Sequence, residues 1–329
     1  MAVIGLPVEN LLSMRTVGQT LAQRAQCRLL SGQPSEALKE LTLLHDLCRI
    51  LDGPPTNRHT TPNTAVIDAE LAGMHANVVA DGLRLNAWQE PQLAALQTQL
   101  EEVDLRPSLA RAFADGPAFT CSAIEKVIVA QRSHLYLFGS SSLSLLQRLK
   151  YARYLLYDMV PRGWFYHGLV DLAELLKHIN DVSDISGRLV IPQKVEKARH
   201  DVQATATHFL VGAALATFAV PDVVYAHRTV AFTQTTVNQA ALACALERYR
   251  LVRGRYPDSI EALAPEFVRV NPMDIIGGRP LHYSRIPDQG YQIYSVGWDE
   301  KDDNGIPSSI GAAGPDLASG DWTWRFPVD

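Results

Sequence analysis

ALERYRLVRGRYP, residues 245–257, is the stretch at which the chain changes character. Its first half continues a helical pattern that begins near residue 223, with apolar residues at three- and four-residue steps. Gly254 can adopt the left-handed turn that ends many helices, and Pro257 cannot continue a helix. We therefore predict one long helix from residue 223 to about 252, and a different kind of structure beyond it.

Beyond this turn the sequence predicts a small antiparallel sheet. Residues 281–286 and 291–296 are short segments rich in aromatic and β-branched residues, and a turn-forming segment joins them. These two segments are expected to form a hairpin. A third alternating segment, Trp322–Phe326, follows a loop rich in Gly, Ser and Pro and is expected to add an edge strand.

Ahead of the long helix, the first 220 residues show helical patterns that Gly and Pro interrupt. Residues 7–30 and 34–51 each carry an apolar stripe at helical spacing, and Gly32 lies between them. This pattern predicts an antiparallel helical hairpin. The predicted fold class is α+β and mostly α, with an irregular antiparallel helical array at 1–220, followed at 221–329 by the long helix and a small antiparallel β-sheet.

Composition restricts the partners of such a chain. Its 329 residues are 47% hydrophobic, which is enough for a substantial core, and 35 acidic against 30 basic residues give a formal net charge of −5. That charge provides no general attraction for nucleic acid or for an anionic membrane. The longest strongly apolar run, 209–220, is about half of the roughly 20 residues that a membrane-spanning helix needs. We predict no nucleic-acid partner and no membrane span in this chain.

The motifs after residue 241 resemble, in their order, the globular head of the pseudopilins of type II secretion. Residues 245–257 resemble the family's helix end and its G-x-Y-P corner, and residues 278–283 resemble its G-x-P-L-x-Y entry to a hairpin. Residues 294–299, YSVGWD, resemble its Y-S-x-G-x-D close. The resemblance covers the last quarter to third of the chain, and it implies a pseudopilin-like head with a role associated with secretion.

Pseudopilins begin with a cleaved leader and an apolar helix that builds the pilus, and the start of this sequence shows neither. A helical array precedes the head instead, so polymerisation into a pseudopilus is not expected. The whole chain looks like envelope proteins of planctomycetes and verrucomicrobia in which a helical region precedes such a head. This resemblance implies a periplasmic or cell-envelope location; a cytosolic location, and an anchor removed from the N terminus, stay open alternatives.

An acidic loop follows the Y-S-x-G-x-D motif, and the pseudopilin resemblance implies that it binds calcium. Residues 299–305, DEKDDNG, place four carboxylates and one amide within seven positions. Ca²⁺ takes about six to eight oxygen ligands, which such a loop can supply. The alternative is a solvated acidic turn without a metal. The expected ligands of a structural Ca²⁺ are Asp299, Asp302 and Asp303, completed by Asn304, Asp316 or Asp321.

The densest aromatic cluster of the helical region lies between residues 151 and 166, with basic residues interleaved. Tyr, Trp and Arg are frequent anchors of protein interfaces, which makes this cluster a candidate interaction surface. Packing between two helices of the core is the alternative. The candidate surface comprises Tyr151, Tyr154, Arg162, Trp164, Phe165 and Tyr166.

The sequence contains no nucleotide-binding motif, no nucleophile elbow and no paired zinc-ligand motif. We therefore assign no catalytic residues and no cofactor other than Ca²⁺. The leading interpretation is a non-enzymatic scaffold or binding protein of the cell envelope, with a protein partner and a calcium-stabilised head. The alternative is an enzyme whose site lies in a cleft between the helical array and the head, built from residues far apart in the sequence.

Overall fold

The protein is described by a computed structural model, which covers residues 8–52, 61–114, 190–206, 223–269, 271–286, 290–308, 310–311 and 314–327, and the single positions 163, 166, 167 and 170. The fold is α+β and mostly helical, with a small antiparallel sheet, which confirms the predicted class. Within these ranges no helix combines the length and the apolar character needed to cross a membrane. The helices are α1 (Val8–Leu30), α2 (Pro34–Asp52), α3 (Pro62–Arg84), α4 (Glu90–Glu101), α5 (Pro192–Ala206) and α6 (Val223–Arg253).

Helices α1 and α2 form the predicted hairpin. The Gln33 N–H donates to the Arg28 carbonyl over 2.9 Å, and Gly32 has a φ of 68°, so the turn closes in the left-handed conformation that glycine permits. Helix α3 packs against both. A Cβ atom at Gly18 of α1 would lie 2.1 Å from Leu71 Cδ2 of α3, so a larger residue there would displace the Leu71 side chain.

Helix α6 connects the helical array to the C-terminal module. Every residue from 240 to 246 is buried, and the helix packs on α3, α4, α5 and the sheet. One hydrophobic core therefore runs from α1 through α6 to Trp322. The helix ends at Arg253, next to Gly254 with a φ of 77°, which is one residue from the predicted end. The division at residue 220 stays a prediction.

Residues 254–327, here called the head, contain the predicted sheet. Strands β1 (His282–Ile286), β2 (Gly290–Ser295) and β5 (Trp322–Phe326) are antiparallel in the order β1-β2-β5, and β3 (Ile310–Gly311) and β4 (Gly314–Pro315) form a separate short ladder. The predicted hairpin and edge strand are confirmed. Gly290 has a φ of 133°, and a Cβ atom there would lie 1.9 Å from the Phe326 carbonyl oxygen, so β2 and β5 pair closely only with glycine at this position.

A buried carboxylate joins the end of α6 to the head. The Glu247 side chain accepts hydrogen bonds from the Tyr256 hydroxyl and, over 2.8 Å, from Arg250 Nε. The Tyr256 ring packs edge-on against Tyr291 of β2 at 4.9 Å between centroids. The G-x-Y-P corner thus places its tyrosine between the helix and the sheet.

Candidate cation site in the acidic loop

The acidic loop, residues 299–305, begins after β2 and is enclosed by the backbone that leads into β5. Three glycines with positive φ make this enclosure compact: Gly297, Gly305 and Gly320. A Cβ atom at Gly297 would lie 2.4 Å from the Gly320 carbonyl oxygen, and one at Gly320 would lie 2.6 Å from the Ser308 nitrogen. Because both contacts are with backbone, no side chain fits at either position without moving the chain.

Gly305 is the point at which the end of the loop is fixed. Its carbonyl oxygen accepts hydrogen bonds from Gln292 Nε2 over 2.7 Å and from Thr323 Oγ1 over 3.0 Å. Its N–H donates to Asp321 Oδ2 over 2.6 Å. Gln292 of β2, Thr323 of β5 and Asp321, which precedes β5, therefore hold the backbone of one residue, Gly305. Gln292 and Thr323 could not be predicted as part of this site, because each is a single polar residue within an apolar strand pattern.

Asp321 is the most deeply buried carboxylate of the site. The residue is 2% exposed, and Oδ2 accepts the Gly305 N–H, whereas Oδ1 has no partner in hydrogen-bonding geometry; the Asp303 N–H lies close enough to the carboxyl to lower its pKa. Burial raises the pKa of the Asp321 carboxyl, and the charges of Asp302 and Asp303 raise this pKa further, against the lowering effect of the Gly305 and Asp303 N–H groups. A buried carboxylate oxygen without a partner is costly, so this position favours a cation.

Two acidic residues of the loop, Asp302 and Asp303, lie close enough to this carboxylate to raise its pKa. Asp302 Oδ1 accepts the Asn304 N–H over 2.9 Å, and Asp302 Oδ2 lies 3.9 Å from His282 Nδ1. Asp299 accepts N–H groups of Lys301 over 3.3 Å and of Gly320 over 3.4 Å. Burial, followed by the charge of Asp302, raises the pKa of Tyr294, which places that ring beside the loop.

The predicted ligands therefore divide into two groups. Asp302, Asp303 and Asp321 lie near one another, and Asp299 and Asn304 belong to the same folded loop through their backbone contacts. Asp316 instead caps its own exposed turn: its carboxylate accepts from the Ala318 N–H over 2.9 Å and from Ser319 Oγ over 3.0 Å, and these bonds lower its pKa. Its role as a ligand stays a prediction.

Over the described part of the chain, no three His, Cys, Asp or Glu side chains are gathered as a ready-made metal site. A cation at Asp321 would therefore draw several ligands from backbone carbonyls and water, as Ca²⁺ commonly does. The donor set fits a hard cation, because every candidate ligand atom is an oxygen. Asp321 Oδ1, a buried oxygen without a hydrogen-bond partner, is a candidate ligand atom for such an ion.

The predicted interaction surface falls almost entirely outside the described residues. Tyr166 is described and is 43% exposed, as an interaction surface requires. Tyr151, Tyr154, Arg162, Trp164 and Phe165 lie outside the described ranges, so the surface stays a prediction.

No family model, no curated protein and no solved structure gives a significant match. The candidate function therefore depends on the residues and contacts given above.

Proposed function

We propose that this chain is a scaffold or binding protein of the bacterial cell envelope whose pseudopilin-like head binds one Ca²⁺ as a structural ion in the acidic loop. The observation that carries the proposal is the buried Asp321 carboxylate, whose Oδ1 has no hydrogen-bond partner and which lies beside Asp302 and Asp303. The motif order after residue 241 supports the same assignment, since pseudopilins bind calcium in the matching loop.

A structural ion suits this loop for energetic reasons. Without a cation, Asp302, Asp303 and Asp321 repel one another, and the unpaired oxygen of Asp321 is removed from water. Glu300 and Asn304 also have positive φ values, 57° and 59°, which non-glycine residues adopt at some cost. A bound Ca²⁺ would offset the repulsion and fix this backbone, and calcium is plentiful outside the cytoplasm.

A scaffold role is supported by the way in which the array and the head are joined. Gln97 of α4 donates from Nε2 to the Phe267 carbonyl of the head over 2.8 Å, and Arg248 of α6 bridges to Glu90 and Gln97 of α4. Along this face the array and the head touch directly. A rigid platform is suited to holding a partner in a fixed orientation.

Thermal unfolding in excess Ca²⁺ and in chelator tests the proposal. At a calcium concentration about 100 times Kd, the ion adds about 2.7 kcal/mol of stability, which corresponds to a Tm rise of about 4 °C for a chain of this size. Asp321→Asn should abolish the rise. In chelator this variant should melt at or above the unsubstituted protein, because an amide can still accept from Gly305 and its burial costs less than that of a carboxylate.

Asp316→Asn is the matched control, because we propose that Asp316, whose carboxylate caps its own exposed turn, is not among the ligands of the ion. It should keep the calcium-dependent rise. Equal Tm values in calcium and chelator for the unsubstituted protein, or an undiminished rise in Asp321→Asn, would contradict the calcium site. Reproducible absence of any co-purifying protein in native envelope preparations would remove the scaffold part of the proposal.

A further inference from the structure

The acidic loop also holds a helix of the array. The two residues on either side of Asp299 each contact α5: Trp298 donates from Nε1 to Glu196 Oε1 over 3.1 Å, and Glu300 accepts from Gln193 Nε2 over 3.0 Å. The candidate ligand Asp299 therefore lies between Trp298 and Glu300, two residues that contact α5.

Glu196 extends this contact to the long helix. It accepts from Arg228 of α6 over 3.3 Å and pairs with Arg199 over 3.1 Å. The Arg228 guanidinium lies over the Trp298 ring, 5.3 Å from its centroid, and Trp298 is buried. One carboxylate on α5 thus connects the loop with α6.

Helix α5 depends on such contacts for its order. It has 15 residues and a polar sequence, PQKVEKARHDVQATA, in which Val195 and Ala198 are the buried apolar side chains of its middle part. Isolated helices of about this length are marginal in water, so most of their stability comes from packing. Just before α5, the Val190 N–H donates to the Ile275 carbonyl of the head over 2.9 Å, which anchors its start.

We infer that a cation in the acidic loop controls how firmly α5 is docked between the head and α6. This inference rests on the proposed calcium site. An ion held at Asp321, with Asp299 among its predicted ligands, fixes the backbone of residues 298–300 and with it the positions of the Trp298 and Glu300 side chains. Without the ion, the repulsion between carboxylates loosens this segment, and α5 loses the part of its attachment to the head that Trp298 and Glu300 provide. Calcium binding in the head would then change how firmly α5 of the helical array is held.

Docking of α5 and binding of calcium are thermodynamically linked. If calcium favours docking of α5, then docking of α5 must raise the affinity for calcium by the same factor. Glu196→Ala removes the acceptor for Trp298, Arg228 and Arg199 and leaves a good helix former in α5. We expect it to weaken calcium binding on the order of fivefold, which is the lower end of typical coupling between sites.

Hydrogen exchange of the full-length chain, in CaCl₂ and in chelator, tests the inference. In the unsubstituted protein, calcium should slow exchange both in residues 299–305 and, on the order of fivefold, in α5. Glu196→Ala should keep calcium protection of the loop and lose it in α5. Lys197→Ala, which truncates the next and exposed residue of the same helix, should behave like the unsubstituted protein.

The outcomes separate the two proposals. Protection of the loop without protection of α5 overturns the coupling and leaves the calcium site intact. If calcium still protects α5 fully in Glu196→Ala, the coupling does not pass through Glu196, and the inference is overturned. No calcium effect in either segment overturns the calcium site and the coupling together.

Discussion

Acidification from pH 7.5 to pH 5 is expected to cost the protein about 4 kcal/mol of unfolding free energy, through two buried histidines. Burial lowers the pKa of His75 and of His227 from the ordinary 6.5 to about 4. His75 lies next to His45 and shares a hydrogen bond with Gln99, and its Nδ1 has no partner. Helices α3 and α6 each bury one of these two neutral imidazoles.

Acid lowers the unfolding free energy because the unfolded chain binds more protons than the folded one. Between pH 6.5 and pH 4 the unfolded histidines are protonated and the folded ones are not, so acid favours the unfolded chain. The stabilising effect is fully present above pH 6.5 and is lost as the pH falls towards 4. Each histidine lowers the free energy of unfolding by about 2 kcal/mol at pH 5 and by about 3 kcal/mol below pH 4.

Urea unfolding at several pH values measures this effect. His75→Gln and His227→Gln should each remove about half of the loss between pH 7.5 and pH 5, whereas His200→Gln, at an exposed position of α5, should leave it unchanged. An unchanged pH dependence in both buried-site variants would show that these histidines are not the acid-sensitive groups.

Leu246→Ala should destabilise the whole chain by about 3 to 5 kcal/mol. Leu246 is 0% exposed and lies where α6 carries the core from the array into the head, so its truncation leaves a cavity at their junction. Leu251→Ala is the matched control on the same helix, because Leu251 is 48% exposed, and it should cost no more than about 0.5 kcal/mol.

Denaturant unfolding of the two variants distinguishes a shared core from separate ones. With a continuous core, one cooperative transition should move as a whole in Leu246→Ala. Two transitions of which only one moves, or similar costs for the two leucines, would contradict the central position given to α6.

Local signals in the sequence predicted much of this fold. Gly254 and Pro257 mark the end of α6, Gly32 marks the first hairpin turn, and alternating apolar residues mark the strands, because each of these features depends on a few neighbouring residues. The contacts that hold the elements together could not be predicted in this way. Gln239 of α6, for example, donates to the Trp322 carbonyl over 2.7 Å across 83 positions.

The residues of the candidate cation site could also be predicted only in part from local signals. Asp316 and Asp321 both follow the acidic loop in a segment rich in glycine, and nothing local to either residue distinguishes them. Asp321 is buried because the chain folds back so that its carboxylate meets the N–H of Gly305, whereas Asp316 caps a turn in solvent. The difference depends on long-range packing, which motif and spacing do not encode.

Calorimetric titration of the full-length chain with CaCl₂ is the most direct test of the calcium-binding head. We expect saturable binding of one ion per chain, absent in Asp321→Asn and retained in Asp316→Asn. Absence of binding by the unsubstituted protein, or equal binding by Asp321→Asn, would contradict the account and leave the acidic loop a solvated turn.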